Sequence, residues 1–159
     1  NVTFDKRCKE IYGITDLINL FDKIPNSALF VCDPSSNYLE YVKIKMSLPS
    51  NVIFVSTPYT FVDIAKNCHA YIRNTTTDGD SMSIHETLQL GKVVFATDCT
   101  SRPPGCRTYS NHVKIDFIEE LRKELSNPRE YADNDEDTLR KIIKLYEYCL
   151  RKLISDGQN

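Results

Sequence analysis

The fold is decided by residues 71–98, which read YIRNTTTDGDSMSIHETLQLGKVVFATD. A short apolar run ending at Ile72 is followed by the polar loop 73–81, and the segment around Glu86 predicts a helix. Gly91 stands where a left-handed residue commonly ends a helix, and the apolar run 93–96 predicts a buried strand. The stretch therefore predicts one βαβ unit, whose crossover is right-handed.

The loop of this unit has the chemistry of an anion site. It follows the carboxyl end of its strand, where open α/β sheets bind ligands. Residues 78–83, DGDSMS, run into the helix, whose free N–H groups and dipole suit a phosphate. Gly79 allows the backbone to approach a ligand closely. The carboxylates of Asp78 and Glu86 can accept hydrogen bonds from hydroxyls, so the loop favours a nucleotide-sugar pocket.

The same residues have a purely structural interpretation. Ser83 and Glu86 fit the S-x-x-E pattern of a capping box, in which the glutamate only closes the helix N-terminus. Asp78 and Asp80 are then loop carboxylates beside the helix dipole. The residues alone leave both interpretations open.

The stretch resembles the donor-side motif of family 4 glycosyltransferases, which have the GT-B fold. That motif has two acidic positions with seven residues between them, occupied here by Asp78 and Glu86, and residues 91–98 resemble the strand that follows it. A subgroup with the loop R-x-T-x-x-DG-x-S and a later R-P is the most similar. Its positions are matched by Arg73, Thr75, Asp78, Gly79, Ser81, Arg102 and Pro103.

The resemblance implies a fold, a reaction and a set of roles. The fold is α/β, a Rossmann-like three-layer sandwich with a parallel sheet that forms one half of a GT-B enzyme. The reaction is retaining transfer of a sugar, hexosyltransferase-like, from a nucleotide-diphospho-sugar to a saccharide or lipid-linked acceptor. Asp78 is expected to contact hydroxyls of the donor sugar and Glu86 those of the ribose. The other substrate-binding positions are Gly79, Asp80, Ser81, Met82 and Ser83.

The loop before the first helix carries the second part of the resemblance. The family has an arginine here, followed by a lysine–glycine pair, and Arg7 and Gly13 match that register. Tyr12 stands at the lysine position, which is a departure, and Lys6 or Lys9 could replace that cation. The resemblance gives Arg7 a catalytic role in balancing the leaving diphosphate. Because cations and a helix dipole supply this stabilisation, no metal and no other cofactor is expected.

Apolar runs alternate with amphipathic segments along the rest of the chain, which predicts a parallel sheet flanked by helices. The turn-rich segment 102–106 is interpreted as a surface loop. The acidic run 133–137 is expected to begin a final amphipathic helix. Three further strands are predicted, at 2–4, 28–32 and 52–55. One further helix is predicted to begin near Ile14, and three others are predicted at 38–46, 61–65 and 115–125.

Composition excludes several classes of protein. The chain has 159 residues, 26% of them charged, and a net charge of −2, so it is ordinary for one globular domain and not basic enough to indicate nucleic-acid binding. Its six cysteines include no C-x-x-C pair, so no zinc site is predicted. No apolar run is long enough to span a membrane. We expect a cytoplasmic protein, in which the glycosylation sequons at Asn1 and Asn74 have no role.

Enzymes of the family have two Rossmann-like domains, and the chain resembles only the second. We therefore expect residues 1–159 to form a single donor-binding domain of a longer enzyme, with polysaccharide biosynthesis as one setting; a separate partner chain is the alternative. The missing N-terminal domain would bind the acceptor and make any peripheral membrane contact, so the isolated chain is expected to be inactive. The competing hypotheses are a non-catalytic α/β binding or interaction module and a nucleotide-sugar epimerase or hydrolase.

Overall fold

The computed structural model describes residues 3–4, 10–56, 60–110 and 114–126, and in the last range the side chains from residue 118 onward. Several sequence predictions lie outside these residues. They concern Val2, Lys6, Arg7 and Lys9, the acidic run 133–137 and the final helix.

Helices and strands alternate along the described chain until two strands, β4 and β5, follow each other directly. The helices are α1 Ile14–Phe21, α2 Asn37–Lys45, α3 Phe61–Ala65, α4 Met82–Gln89 and α5 Lys114–Ser126. The strands are β1 Leu29–Cys32, β2 Val52–Val55, β3 Ala70–Arg73, β4 Val93–Thr97 and β5 Cys106–Tyr109. None of the helices within the described ranges is long and apolar enough to cross a bilayer.

These elements confirm the predicted helices and strands between residues 14 and 125, and two other predictions are corrected. The first strand was predicted over 2–4, but Phe4 makes only an isolated antiparallel bridge with Glu10. The segment 102–106 was predicted to be a surface loop, but Cys106 begins β5 and pairs with Val94. That strand was missed because the sequence CRTY has no apolar run and follows Pro103, Pro104 and Gly105.

All strand pairs in the named sheets are parallel, as predicted. β1 pairs with β2, and β3, β4 and β5 form a second sheet in that order. Because the strands are parallel, the carboxyl ends of β3, β4 and β5 lie at one edge of their sheet. The loops that leave this edge are the ones expected to form a site.

Strand side chains alternate between the two faces of the sheets, and helices cover both faces. One face packs against α1 and α5, while the opposite faces pack against α3 and α4. The first cluster includes Leu17, Ile18, Phe21, Val31, Val52, Phe95 and Leu121; the others include Ile53, Val55 and Ile64, and Ile84, Val94 and Ala96. The described chain is therefore α/β with parallel sheets between helices, an arrangement compatible with a Rossmann-like fold.

The predicted end of α4 at Gly91 is confirmed. Gly91 has a φ of 70°, and its N–H donates to the carbonyl of Leu88 at 2.9 Å. The N–H of Lys92 donates to the carbonyl of Thr87 at 3.2 Å. This pair of hydrogen bonds is a Schellman motif, and it turns the chain out of α4 and into β4.

Asn74 joins three segments at the carboxyl edge. Its Nδ2 donates to the carbonyl of Gly13 at 3.0 Å, and its Oδ1 accepts from the hydroxyl of Tyr109 at 2.9 Å. The start of α1, the end of β3 and the end of β5 are thereby held together. Since Asn74 is 6% exposed, its amide is inaccessible to a glycosylating enzyme in the folded protein, whatever the compartment.

We predict that Gly13→Ala destabilises the protein more than Gly91→Ala. Both glycines have positive φ, 54° and 70°, so each new side chain is strained by roughly 1–2 kcal/mol. A Cβ at Gly91 meets no atom within 4 Å, whereas one at Gly13 would lie 2.8 Å from the carbonyl oxygen of Asn74. Urea unfolding should show an additional loss of about 1–3 kcal/mol for Gly13→Ala. Equal losses in the two variants would contradict the close packing of Gly13 on Asn74.

Candidate functional site

The candidate site begins where β3 ends and α4 starts. The chain leaves β3 after Arg73, forms the predicted polar loop and enters α4 at Met82. The loop lies at the carboxyl edge of the three-stranded sheet, beside the last residues of β4 and β5. The backbone N–H of Asp98 donates to the carbonyl of Tyr109 at 3.0 Å, which keeps the next loop at the same edge.

The N-terminus of α4 is not closed by a side chain. Its N-cap is Ser81, and the Ser81 side chain makes no capping hydrogen bond. Ser83 lies inside the first turn, where its carbonyl accepts from Thr87 Oγ1 at 2.6 Å. The capping box of Ser83 and Glu86 is therefore wrong. Glu86 is half-buried in the second turn, and within the described residues its carboxylate has no hydrogen bond or ion pair.

The N-termini of α1, α2 and α3 differ from that of α4. In each of these three helices a side-chain oxygen accepts from a backbone N–H of the first turns. The acceptors are Glu10 on α1, 2.7 Å from Ile14 N, Asp33 on α2, 3.0 Å from Leu39 N, and Thr60 on α3, 3.2 Å from Asp63 N. Among helices α1 to α4 of the described chain, only α4 has no side chain that accepts from a backbone N–H of its first turn.

Asp78 forms ion pairs with two arginines. Arg73 donates to it through Nε and Nη2, at 3.0 and 2.9 Å, and Arg102 donates through Nη1 at 2.8 Å. The side chain of Asp78 is 9% exposed and that of Arg102 is 2% exposed. Burial opposes ionisation of Asp78, but the hydrogen bonds and charges of Arg73 and Arg102 outweigh it and lower its pKa to about 2.

Arg102 has its donors satisfied inside the protein. Its Nε donates to the carbonyl of Thr97 at 2.8 Å. Its Nη2 lies 3.3 Å from Thr75 Oγ1 and 3.4 Å from Cys99 Sγ. Sequence reasoning placed Arg102 in a surface loop, and the structure buries it beneath Asp78. Arg102 matched the Arg-Pro pair of the motif, but the sequence did not indicate that it pairs with Asp78.

Tyr12, at the position where the resembling family has lysine, lies against Arg73. The guanidinium carbon of Arg73 is 5.2 Å from the centre of the Tyr12 ring, within cation–π range. The loop that precedes α1 therefore contacts the candidate site through an aromatic ring. Arg7, the predicted cation of this loop, lies outside the described residues, and its role stays a prediction.

Of the other predicted residues, Gly79, Asp80 and Met82 are exposed, Ser83 is half-buried, and Ser81 is buried. Gly79 donates its N–H to Asp78 Oδ1 at 3.1 Å, and a Cβ at Gly79 would meet no atom within 4 Å. Asp80 is exposed, and its Oδ1 lies 2.6 Å from His85 Nε2. Met82 is 69% exposed at the first position of α4.

The arrangement offers two chemistries side by side. The open end of α4 offers N–H groups to an anion, and Glu86 offers a carboxylate to hydroxyl donors. Asp78 differs from Glu86, because both of its oxygens already accept from arginines. Its predicted contact with sugar hydroxyls stays a prediction.

Three comparisons were made with known proteins. No protein-family model, no curated protein and no solved structure matched the chain.

We predict that ionised Asp78 stabilises the fold at pH values above the ordinary pKa of a carboxyl group and that this contribution is lost in acid. Its pKa falls from 3.8 to about 2 on folding, so its contribution is complete above pH 3.8 and disappears as the pH falls through about 2. That shift corresponds to about 2 kcal/mol. Asp78→Asn should therefore be less stable than the wild type near neutral pH, and the difference should shrink between pH 4 and pH 2. Urea unfolding over this range measures it, and a constant difference would contradict the ion pairs.

Proposed function

We propose that the chain binds a nucleotide-diphospho-sugar and is the donor-binding domain of a retaining GT-B glycosyltransferase. One observation carries the proposal: α4 begins at the carboxyl edge of parallel strands with no side chain of the described residues accepting from its first-turn N–H groups, whereas in each of α1, α2 and α3 a side chain accepts from at least one of them. A phosphate is a suitable acceptor for such amides. The resemblance of residues 71–98 to the donor motif supplies the reaction class.

The two arginines beside the loop support a phosphate ligand. Arg73 and Arg102 carry two positive charges, and Asp78 neutralises one of them. These three residues together carry one net positive charge, which lies beside the open end of α4, while the carboxylates of Asp80 and Glu86 add two negative charges to the same loop and helix. A diphosphate leaving group develops negative charge during sugar transfer, and fixed positive charges and amides stabilise it without rearrangement.

The hydroxyl-binding part of the proposal rests on Glu86. Its carboxylate is half-buried on the second turn of α4 and unpaired within the described residues, so it can accept from the two ribose hydroxyls. Arg7 is assigned the leaving diphosphate on the resemblance alone, and the sugar-hydroxyl contact that the resemblance implies for Asp78 is not part of this proposal, because both of its oxygens accept from arginines. The acceptor would be bound by a second domain, so the 159-residue chain is expected to bind donor without transferring sugar.

We predict that the thermal unfolding midpoint rises with one class of nucleotide sugar and that Glu86→Ala abolishes the rise. UDP-glucose, GDP-mannose and ADP-glucose would be tested on the 159-residue chain. A ligand at about a hundred times its dissociation constant adds roughly 2.7 kcal/mol. For a domain of this size the midpoint should rise by roughly 5–10 °C. The nucleotide class that gives the shift identifies the base.

Glu120→Ala is the matched control, because Glu120 is also a helical glutamate but lies exposed on α5. It should keep the full shift, and so should the wild type in the presence of EDTA, since no metal takes part in the proposed binding. No shift for the wild type with any of the three compounds would favour the non-catalytic module. If the midpoint of Glu86→Ala still rises with the nucleotide sugar, Glu86 does not take part in binding.

A further inference from the structure

The strongest unexplained feature of the site is the pair of arginines on Asp78. A carboxylate has about four lone-pair positions. Asp78 Oδ1 accepts from Arg73 Nη2 and from the N–H of Gly79, at 2.9 and 3.1 Å. Oδ2 accepts from Arg73 Nε and Arg102 Nη1, at 3.0 and 2.8 Å, with Thr75 Oγ1 at 3.4 Å. The carboxylate is therefore fully occupied by donors of the protein itself.

A direct contact between Asp78 and a sugar hydroxyl would have to displace one of these donors. Displacing Arg102 would leave a guanidinium that is 2% exposed without its counter-charge, and a buried unpaired charge is strongly unfavourable. Displacing Arg73 would break a two-point hydrogen-bonded pair, among the strongest interactions a carboxylate makes. A neutral hydroxyl replaces neither. The geometry therefore favours a role for Asp78 inside the protein.

The interactions of Asp78 connect the segments that surround the open helix end. Arg73 is the last residue of β3, and Arg102 belongs to the connection between β4 and β5. Arg102 is itself fixed by the carbonyl of Thr97, at the end of β4. Asp78 lies between them and is followed directly by the loop residues that lead into α4. Its carboxylate is therefore the point at which this loop is attached to the sheet.

We propose that Arg73, Asp78 and Arg102 form a clamp that positions the backbone of residues 79–83 for the diphosphate group, so that Asp78 and Arg102 are positioning residues and Asp78 does not contact the sugar. The inference rests on the proposed nucleotide-sugar function. It concerns the diphosphate, which every nucleoside diphosphate shares, and not the transferred sugar. Loosening the clamp therefore lowers the affinity for a nucleoside diphosphate and the affinity for its nucleotide sugar by the same factor.

The test compares ligands with and without the sugar. Affinities of the 159-residue chain for UDP, GDP and ADP, and for UDP-glucose, GDP-mannose and ADP-glucose, would be measured by calorimetry at a temperature where each variant is folded. Asp78→Asn and Arg102→Lys should each weaken the nucleoside diphosphate and its nucleotide sugar equally. The expected loss is about tenfold or more, as when partners that orient a ligating group are removed. Loss confined to the nucleotide sugar would overturn the clamp and assign Asp78 to the sugar.

A double-mutant cycle separates positioning from general destabilisation. If Asp78 acts through Arg102, the double variant Asp78→Asn, Arg102→Lys loses no more affinity than the weaker-binding single variant. If the two losses multiply, the residues act independently and the clamp is wrong. Glu124→Gln is the matched control, because it also converts an ion-paired carboxylate to an amide, in the Arg107–Glu124 pair between β5 and α5. It should leave both affinities unchanged.

The clamp can also be tested without any ligand. Amide nitrogen relaxation would give order parameters for residues 79–83, which should fall from about 0.85 to below about 0.6 in Asp78→Asn and Arg102→Lys. Unchanged order parameters would overturn the clamp even if the ligand binds. Failure of the wild type to bind any of the six compounds would instead overturn the proposed function, and the order parameters would still decide whether the clamp holds the loop.

Discussion

A carboxylate that is 9% exposed stays ionised only where other groups replace the water it has lost, and at Asp78 two arginines do so. This compensation constrains three parts of the chain at once. The end of β3 supplies one cation, the connection after β4 supplies the other, and the loop before α4 supplies the anion. Removing Asp78 would leave both arginines without their shared counter-charge, so the loop geometry and the local stability depend on the same interaction.

Whether the N-terminal N–H groups of a helix are satisfied within the protein depends on which hydrogen-bond acceptors the preceding residues provide. The chain offers Glu10, Asp33 and Thr60 at the starts of α1, α2 and α3, and each of them satisfies an amide internally. Before α4 the nearest carboxylates are Asp78 and Asp80, and both are engaged elsewhere. Asp78 accepts from the arginines and Asp80 from His85. Neither carboxylate is therefore available to the first-turn N–H groups of α4, and the hydroxyl of the N-cap residue Ser81 does not bond to them either.

Patterns within a short window predicted most of the fold, because apolar strands and a glycine at a helix end are local signals. β5 was missed since its residues are polar and its placement depends on pairing with β4. Only part of the candidate site could be predicted, because some of its contacts also join residues that are distant in the sequence. The loop, α4 and Glu86 follow from consecutive residues, but the contact of Asp78 with Arg102 joins positions twenty-four apart. The Ser83 capping box was wrong by two residues, because S-x-x-E does not say which serine begins the helix.

Tyr12 affects how the positive charge of Arg73 is held at this edge. A lysine there would place a mobile cation beside Arg73, and the two like charges would repel. The ring of Tyr12 instead presents its negative face to the guanidinium 5.2 Å away, which favours an Arg73 that is already oriented by Asp78. The ring of Tyr12 also packs edge-on against Tyr38, with the ring centres 6.0 Å apart. The positive charges at this edge of the sheet are therefore those of arginines that hydrogen bonds to Asp78 hold in place.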